Sequence, residues 1–308
     1  MKVRLLVPLV MCLAVLGATR AAVAQAPQAM DLGSVTKVVS VDGRSFPVAD
    51  YGKGPVVLLL HGFPDDRHLW RYQAGALAAA GFRVVAPELR GFGDAPRPSD
   101  PKEYGIPIVI RDVVGILDAL GIGRVQLVAH DWGAAVGWRL AADHSDRVTR
   151  YVALSVGAPG GPTSIEQREK SWYVAFFRQT GVAEAQLMRD DWQLFREWAR
   201  HTVDTDRYVE RLSRPGALTA ALNWYRATGG QPAAGAGAPG QVRPVTCPVL
   251  GIWSDGDAYL TEAPMRTSGD RIQGPFRYER ISGASHWLML DKPAELNRLL
   301  LSFLKRDE

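Results

Sequence analysis

The chain has 308 residues, a formal net charge of +4, and 47% hydrophobic and 22% charged content. That length suits one large domain with an insertion or two small ones, and the composition excludes disordered and fibrous classes. The basic residues form no patch of the kind nucleic acid requires, and subtracting Lys2, Arg4 and Arg20 of the N-terminal segment leaves +1.

In chain order, Lys2 and Arg4 precede an apolar run of 13 residues, Leu5–Gly17, and then the small-residue site Ala22-Val23-Ala24. This is the pattern of a secretory signal peptide over residues 1–24, too short to span a bilayer, and it implies export to the periplasm or the medium. Cys12 falls inside it, so Cys247 stands alone in the rest of the chain. No intramolecular disulfide is then expected, and Cys247 reads as a buried packing residue.

After a lead-in over 25–34, two short β-like runs are expected near Thr36–Val41 and Ser45–Tyr51. Val56–Leu60 is continuously apolar and reads as a buried strand. A helix is expected over Trp70–Ala80, a strand over Arg83–Ala86, and a helix over Ile108–Leu120, with Ile110, Val113, Val114 and Leu117 on one face and Pro107 at its start. Strand Arg124–Val128, helix Gly133–Asp143 and strand Val148–Leu154 follow. This alternation predicts an α/β fold with a mostly parallel, doubly wound sheet. The pattern then changes: Pro159–Ala234 carries helical segments rich in Trp, Tyr, Arg and Glu, and 229–240 is a Gly/Ala/Pro-rich return linker. Strands Val249–Trp253 and Arg277–Ile281 and a helix Ala294–Lys305 close the core. The expected organisation is a core over 25–158 and 241–308, with a helical cap and linker over 159–240 inserted into it.

The chemistry centres on V-A-H-D-W-G-A-A, residues 128–135. Asp131 lies between a strand and a helix, where a G-x-S-x-G elbow would present its Ser as a nucleophile. An Asp in front of a helix is ordinarily an N-cap. Here the small residues Ala129 and Gly133 flank it at two positions to either side, as a strained elbow needs. A carboxylate nucleophile forms an alkyl ester, which suits displacement at saturated carbon, such as opening an epoxide or expelling a halide.

His61-Gly62-Phe63-Pro64 directly follows the buried strand. In a hydrolase of this layout, the backbone N–H of Phe63 and that of Trp132 form the oxyanion hole. Asp257 in S-D-G-D-A-Y and His286 in G-A-S-H-W each follow a strand, on the same sheet edge as Asp131, in the order nucleophile, acid, base. Asp255 competes for the acid role; Asp257 is preferred because two further loop residues suit the reach to His286.

Together, H-G-F-P, H-D-W-G, the late Asp and G-A-S-H-W resemble the α/β-hydrolase superfamily, and specifically its epoxide hydrolase family, from about Val35 to Leu304. S-W-Y-V-A-F-F-R-Q-T-G-V-A-E-A resembles the segment carrying the first cap tyrosine of that family, and L-N-W-Y-R-A the second. The resemblance implies that Tyr173 and Tyr225 hydrogen-bond the epoxide oxygen, an assistance that an alkoxide leaving group needs. It implies an epoxide and water as reactants and a diol as product. It implies no cofactor: no H-E-x-x-H pair or Cys/His cluster stands in the chain, and G-F-G-D-A-P lacks the third Gly of a dinucleotide fingerprint. Trp172, Phe176, Phe177, Trp192 and Trp224 point to an apolar pocket, with His61, Trp224 and Phe177 expected to line the substrate.

Two residues depart from the family pattern: Ala129 replaces Gly, and Glu88 in E-L-R-G-F-G stands in an Asp position, where an effect on loop packing is expected. A haloalkane dehalogenase would use the same Asp and could cradle a halide with Trp132. That group usually carries Asn where Phe63 stands, and the paired tyrosines would be idle. A fluoroacetate-type dehalogenase usually has Arg where Trp132 stands. A secreted binding protein without catalysis is the third alternative, and the intact set of five side chains weighs against it.

Overall fold

The computed structural model describes residues 27–161, 163–228 and 243–305. The expected signal peptide and the return linker over 229–240 lie outside the described residues. Eight strands form a single sheet: β1 (Thr36–Val41), β2 (Arg44–Gly52), β3 (Val56–Leu60), β4 (Arg83–Pro87), β5 (Val125–His130), β6 (Val148–Leu154), β7 (Val249–Ser254) and β8 (Phe276–Ile281). Their order is β1-β2-β4-β3-β5-β6-β7-β8. β2 is antiparallel to β1 and β4, and every other neighbour pair is parallel.

The central strands explain themselves by composition. Val57–Leu60, Leu127–Ala129 and Val249–Ile252 are buried throughout, as strands covered by helices on both faces must be. The covering helices are α1 (Arg71–Ala79), α2 (Ile106–Ala119), α3 (Trp132–Asp143) and, after the last strand, α10 (Leu288–Asp291) and α11 (Pro293–Leu304), with the short α9 (Ala263–Arg266) after β7. Chain order reverses between β3 and β5, the switch point where α/β sheets place their ligands.

Several boundaries differ from the expected ones for local reasons. α1 is preceded by a 3-10 turn, Arg67–Trp70, because the Asp66 side chain caps the backbone N–H of His68. β5 continues to His130, since the parallel ladder pairs Ala129 with Ala153 and His130 with Leu154. α3 therefore begins one residue beyond Asp131, at Trp132.

Among the described residues between β6 and β7 stand five helices: α4 (Ile165–Lys170), α5 (Trp172–Phe177), α6 (Val182–Trp198, broken at Arg189–Trp192), α7 (Thr205–Leu212) and α8 (Ala217–Ala227). They form a cap over the C-terminal ends of β3 and β5. α7 is tied to the core by charge: Arg71 holds Asp204 through two bonds of 2.7 and 2.9 Å, and Arg207 reaches Asp66 at 2.8 Å. Arg214, before α8, pairs with Asp94 at 2.7 Å. α4 is tied differently, through bonds from Gln167 and Lys170 to the loop after β7.

Candidate active site

Asp131 sits at φ 53°, ψ −124°, and its side chain makes no N-cap bond to α3. The N-cap alternative is therefore excluded. A residue other than Gly at positive φ is strained, and this strain turns the carboxylate away from its own helix. The elbow closes only over small neighbours: a Cβ on Gly133 would run into the carbonyls of Leu60 and His61, and one on Gly62 into the Asp131 carboxylate.

The two carboxylate oxygens have different partners. Oδ1 accepts the backbone N–H of Phe63 at 2.8 Å. Oδ2 faces His286 Nε2 at 3.6 Å. Burial disfavours the charge on Asp131, but the His286 ring, His130 and the Phe63 N–H outweigh it and hold its pKa below the ordinary value. The carboxylate is thus ionised and buried, the state a nucleophile needs.

His286 Nδ1 meets Asp257 Oδ2 at 2.8 Å. The other oxygen of Asp257 accepts the N–H groups of Tyr259 and Leu260 at 2.8 and 2.9 Å. Asp255, the competing acid, instead faces outward, accepting the Gly283 N–H at 2.7 Å and lying 3.4 Å from Arg280. The structure thus brings Asp131, His286 and Asp257 together and leaves Asp255 outside. Burial opposes charge on His286, yet the Asp257 and Asp131 carboxylates together push its pKa up to about 10.

Tyr173 and Tyr225 descend from α5 and α8, with ring centroids 6.1 Å apart. Burial raises both hydroxyls well above the ordinary phenol range, and the Asp131 charge adds to the shift in each. Both are neutral phenols, able to donate. The rings of Phe63 and Trp132 lie 5.4 and 5.2 Å from Tyr225, edge to face. The two residues expected to supply oxyanion N–H groups therefore also support the second tyrosine. Phe177 packs on Phe63 and Tyr225 at 5.5 and 5.1 Å, beside the tyrosine pair.

Two substrate-lining expectations need correction. His61 is fully buried with both ring nitrogens engaged by backbone: Nδ1 with Gly62 O at 3.0 Å, and Nε2 with the Leu89 N–H at 3.1 Å. Burial pushes its pKa down to about 4, so it is a neutral pin between two loops. Trp224 is also fully buried, donating its indole N–H to Arg90 O at 2.9 Å and packing against Trp132 and Phe92. Its place is in the seam between cap and core. Of the other expected pocket aromatics, Trp172 stands at the rim of a cleft of about 190 Å³, shared with Tyr173, Trp198 and Tyr259, and Trp192 packs on Phe195. Glu88 is a packing residue: its carboxylate binds Arg67 and the Asp94 N–H and fills the space beside Gly93.

Sequence reasoning missed His130 and Tyr259. His130 Nε2 meets the backbone carbonyl of His286 at 3.0 Å, and the two rings lie 4.4 Å apart. Its only signal was the H of H-D-W-G, quoted but given no role. Tyr259 packs edge-on against His286 at 5.2 Å and against Tyr173 at 5.7 Å; the Y of S-D-G-D-A-Y was its signal. Cys247 is buried with a free thiol whose pKa burial raises to about 11. Among the described residues, no helix is long and apolar enough to cross a membrane.

Residues 55–293 match the family model of the alpha/beta hydrolase fold. The chain is 33% identical over 312 residues to epoxide hydrolase A of Mycobacterium tuberculosis, covering 87% of this chain and 96% of that one. It is 33% identical over 273 residues to epoxide hydrolase 3 of Xenopus tropicalis, covering 83% of this chain and 72% of the relative. The crystal structure of a Bacillus megaterium epoxide hydrolase with an inhibitor superposes with a TM-score of 0.76 at 25% identity, covering 88% of this chain and all of the other. The carboxylate elbow, its buried histidine base and these likenesses converge: the chain belongs to the α/β-hydrolase fold family, in its epoxide hydrolase branch.

Proposed function

We propose that this protein is an epoxide hydrolase that converts an epoxide and water to a vicinal diol through an ester on Asp131. The observation that carries this reading is the division of labour on the Asp131 carboxylate, with Oδ1 held by the Phe63 N–H and Oδ2 beside His286 under two neutral phenols.

Oδ2 attacks one epoxide carbon, and the C–O bond to the ring oxygen breaks. That oxygen takes a proton from Tyr173 or Tyr225, so no free alkoxide leaves. Ester formation removes the Asp131 charge, and with it one of the two carboxylates that hold the His286 proton, so that proton passes to the tyrosinate left by ring opening and His286 becomes a neutral base. His286, oriented by Asp257, then takes a proton from water as the hydroxide adds to the ester carbon. The negative charge that develops on Oδ1 is met by the Phe63 and Trp132 N–H groups. Collapse expels the diol oxygen, which takes the proton from His286. The water oxygen stays in the Asp131 carboxylate, and the acid proton released returns to His286, which restores the resting state.

The test is intact-protein mass on the His286→Gln variant after exposure to styrene oxide and, separately, to 1-bromohexane. A gain equal to the whole epoxide, absent in Asp131→Ala, supports the reading. A gain equal to the hexyl group from bromohexane alone moves the assignment to a dehalogenase. No adduct from either compound overturns the ester mechanism for these substrates.

Export is the second part of the proposal. The basic Lys2 and Arg4, the apolar Leu5–Gly17 and the Ala22-Val23-Ala24 site support removal of residues 1–24. N-terminal sequencing of the exported protein should begin at Gln25; retention of Met1 in the cell interior would refute it.

A further inference from the structure

The loop that carries the triad acid is held largely by the cap. Gln167 lies in α4, buried, with its own N–H capped by the Ser164 hydroxyl at 3.1 Å. Its Nε2 donates to the backbone carbonyl of Tyr259 at 2.9 Å. Its Oε1 accepts both the N–H and the hydroxyl of Thr261, at 2.9 and 3.0 Å. One turn on, Lys170 Nζ donates to the carbonyl of Asp257 itself at 2.7 Å. The Tyr259 hydroxyl donates to the carbonyl of Trp198, at the end of α6. From the core, Trp253 Nε1 donates to Leu260 O at 3.2 Å.

The Tyr259–Leu260 peptide unit links two of these bonds. Its carbonyl accepts from Gln167, and its N–H donates to Asp257 Oδ1 at 2.9 Å. Asp257 Oδ2 in turn meets His286 Nδ1 at 2.8 Å. Gln167 donates to the peptide and the peptide donates to the carboxylate, while the His286 Nδ1–H donates to the same carboxylate from the other side, so both series of bonds meet on Asp257 and fix its orientation. Of the groups in this series of bonds, His286 is the one that faces Asp131, at 3.6 Å.

We propose that Gln167 is a positioning residue for ester hydrolysis, orienting Asp257 through the Tyr259–Leu260 peptide, with Lys170 as a second hold on the same loop. The inference rests on the ester mechanism above. It assigns a cap residue to the step that the core histidine performs, whereas the cap tyrosines serve the ring-opening step.

Gln167→Glu is the sharp probe. It keeps the shape and the acceptor for Thr261, and replaces the donor to Tyr259 O with an oxygen that repels it. The expected result with styrene oxide is a rate of ester hydrolysis at least about tenfold lower with ring opening within about threefold of wild type, as a displaced general base would give. The ester should then accumulate during turnover. A substrate-independent readout is the imidazole Nδ1–H resonance of His286, which should move upfield as its bond to Asp257 loosens. Lys170→Met should shift both readouts the same way and serves if Gln167→Glu does not fold. Arg71→Met, which cuts a cap–core tie elsewhere, should move neither. Wild-type values of both readouts in a folded Gln167→Glu or Lys170→Met protein would overturn the proposal, as would equal changes in Arg71→Met. Failure of the ester mechanism itself would show separately, as absence of any adduct in His286→Gln while the resonance still moves.

Discussion

The backbone N–H of Phe63 reaches Asp131 Oδ1 at 2.8 Å and leaves Oδ2 for chemistry. On the proposed mechanism, one oxygen is already seated where the tetrahedral charge develops, and the other is the attacking atom. The consequence is atomic. In a single turnover in ¹⁸O-water with enzyme in excess, the label should appear in the Asp131-containing peptide and not in the diol. Label in the first-turnover diol would mean that water attacks the epoxide directly.

On the proposed mechanism, Tyr173 and Tyr225 act as acids in the ring-opening step. Each single change to Phe should slow ring opening by about 10- to 100-fold, within the range of a lost general acid, and leave hydrolysis of preformed ester near wild type. The double change should cost more than either alone, because the two phenols can substitute for one another. Rapid-quench mass spectrometry separates the two steps, and a slowed second step in either single variant would contradict the assignment.

His286 should leave a signature in stability. Its pKa is raised from 6.5 to about 10 in the folded protein, so the folded state binds more protons than the unfolded chain between those values. Its contribution is therefore fully present below about pH 6.5 and lost as pH rises towards 10. The Tm of wild type should fall across that window more steeply than that of His286→Gln. Parallel slopes would show that the two carboxylates do not hold the proton.

Gly133→Ala places a methyl against the carbonyls of Leu60 and His61, which are backbone and cannot swing away. Overpacking of this kind costs about 1–3 kcal/mol. A lower Tm with a disproportionate loss of activity is expected, because the displaced backbone leads into Phe63. An unchanged Tm would mean that the elbow is looser than its geometry implies.

The core was largely legible because its determinants are local. Val56–Leu60 and Val148–Leu154 are apolar runs, and strand bounds matched them to the residue. Asp131, His286 and Asp257 were legible because each follows such a run. What escaped depends on pairing across the fold. Between Asp255 and Asp257 the sequence offered only loop reach, which favoured Asp257; the course of the loop turns Asp257 to His286 and Asp255 towards Arg280. His61 and Trp224 read as pocket residues because aromatic and imidazole side chains near a site suit that role. Their polar atoms are in fact taken by the carbonyls and amides of neighbouring loops. Gln167 carried no signal, since its partners in the loop of the triad acid lie more than ninety positions away.

The cap meets the core along two unlike borders. On the α7 side the ties are ion pairs, Arg71 with Asp204 and Arg207 with Asp66; on the α4 side they are bonds from the Gln167 amide and the Lys170 ammonium to neutral groups of the loop. Dissolved salt screens pairs of opposite charge, partly buried ones less than exposed ones, and leaves bonds to neutral groups nearly untouched. The border that lies over the triad acid is thus the one whose bonds to the core depend least on ionic strength.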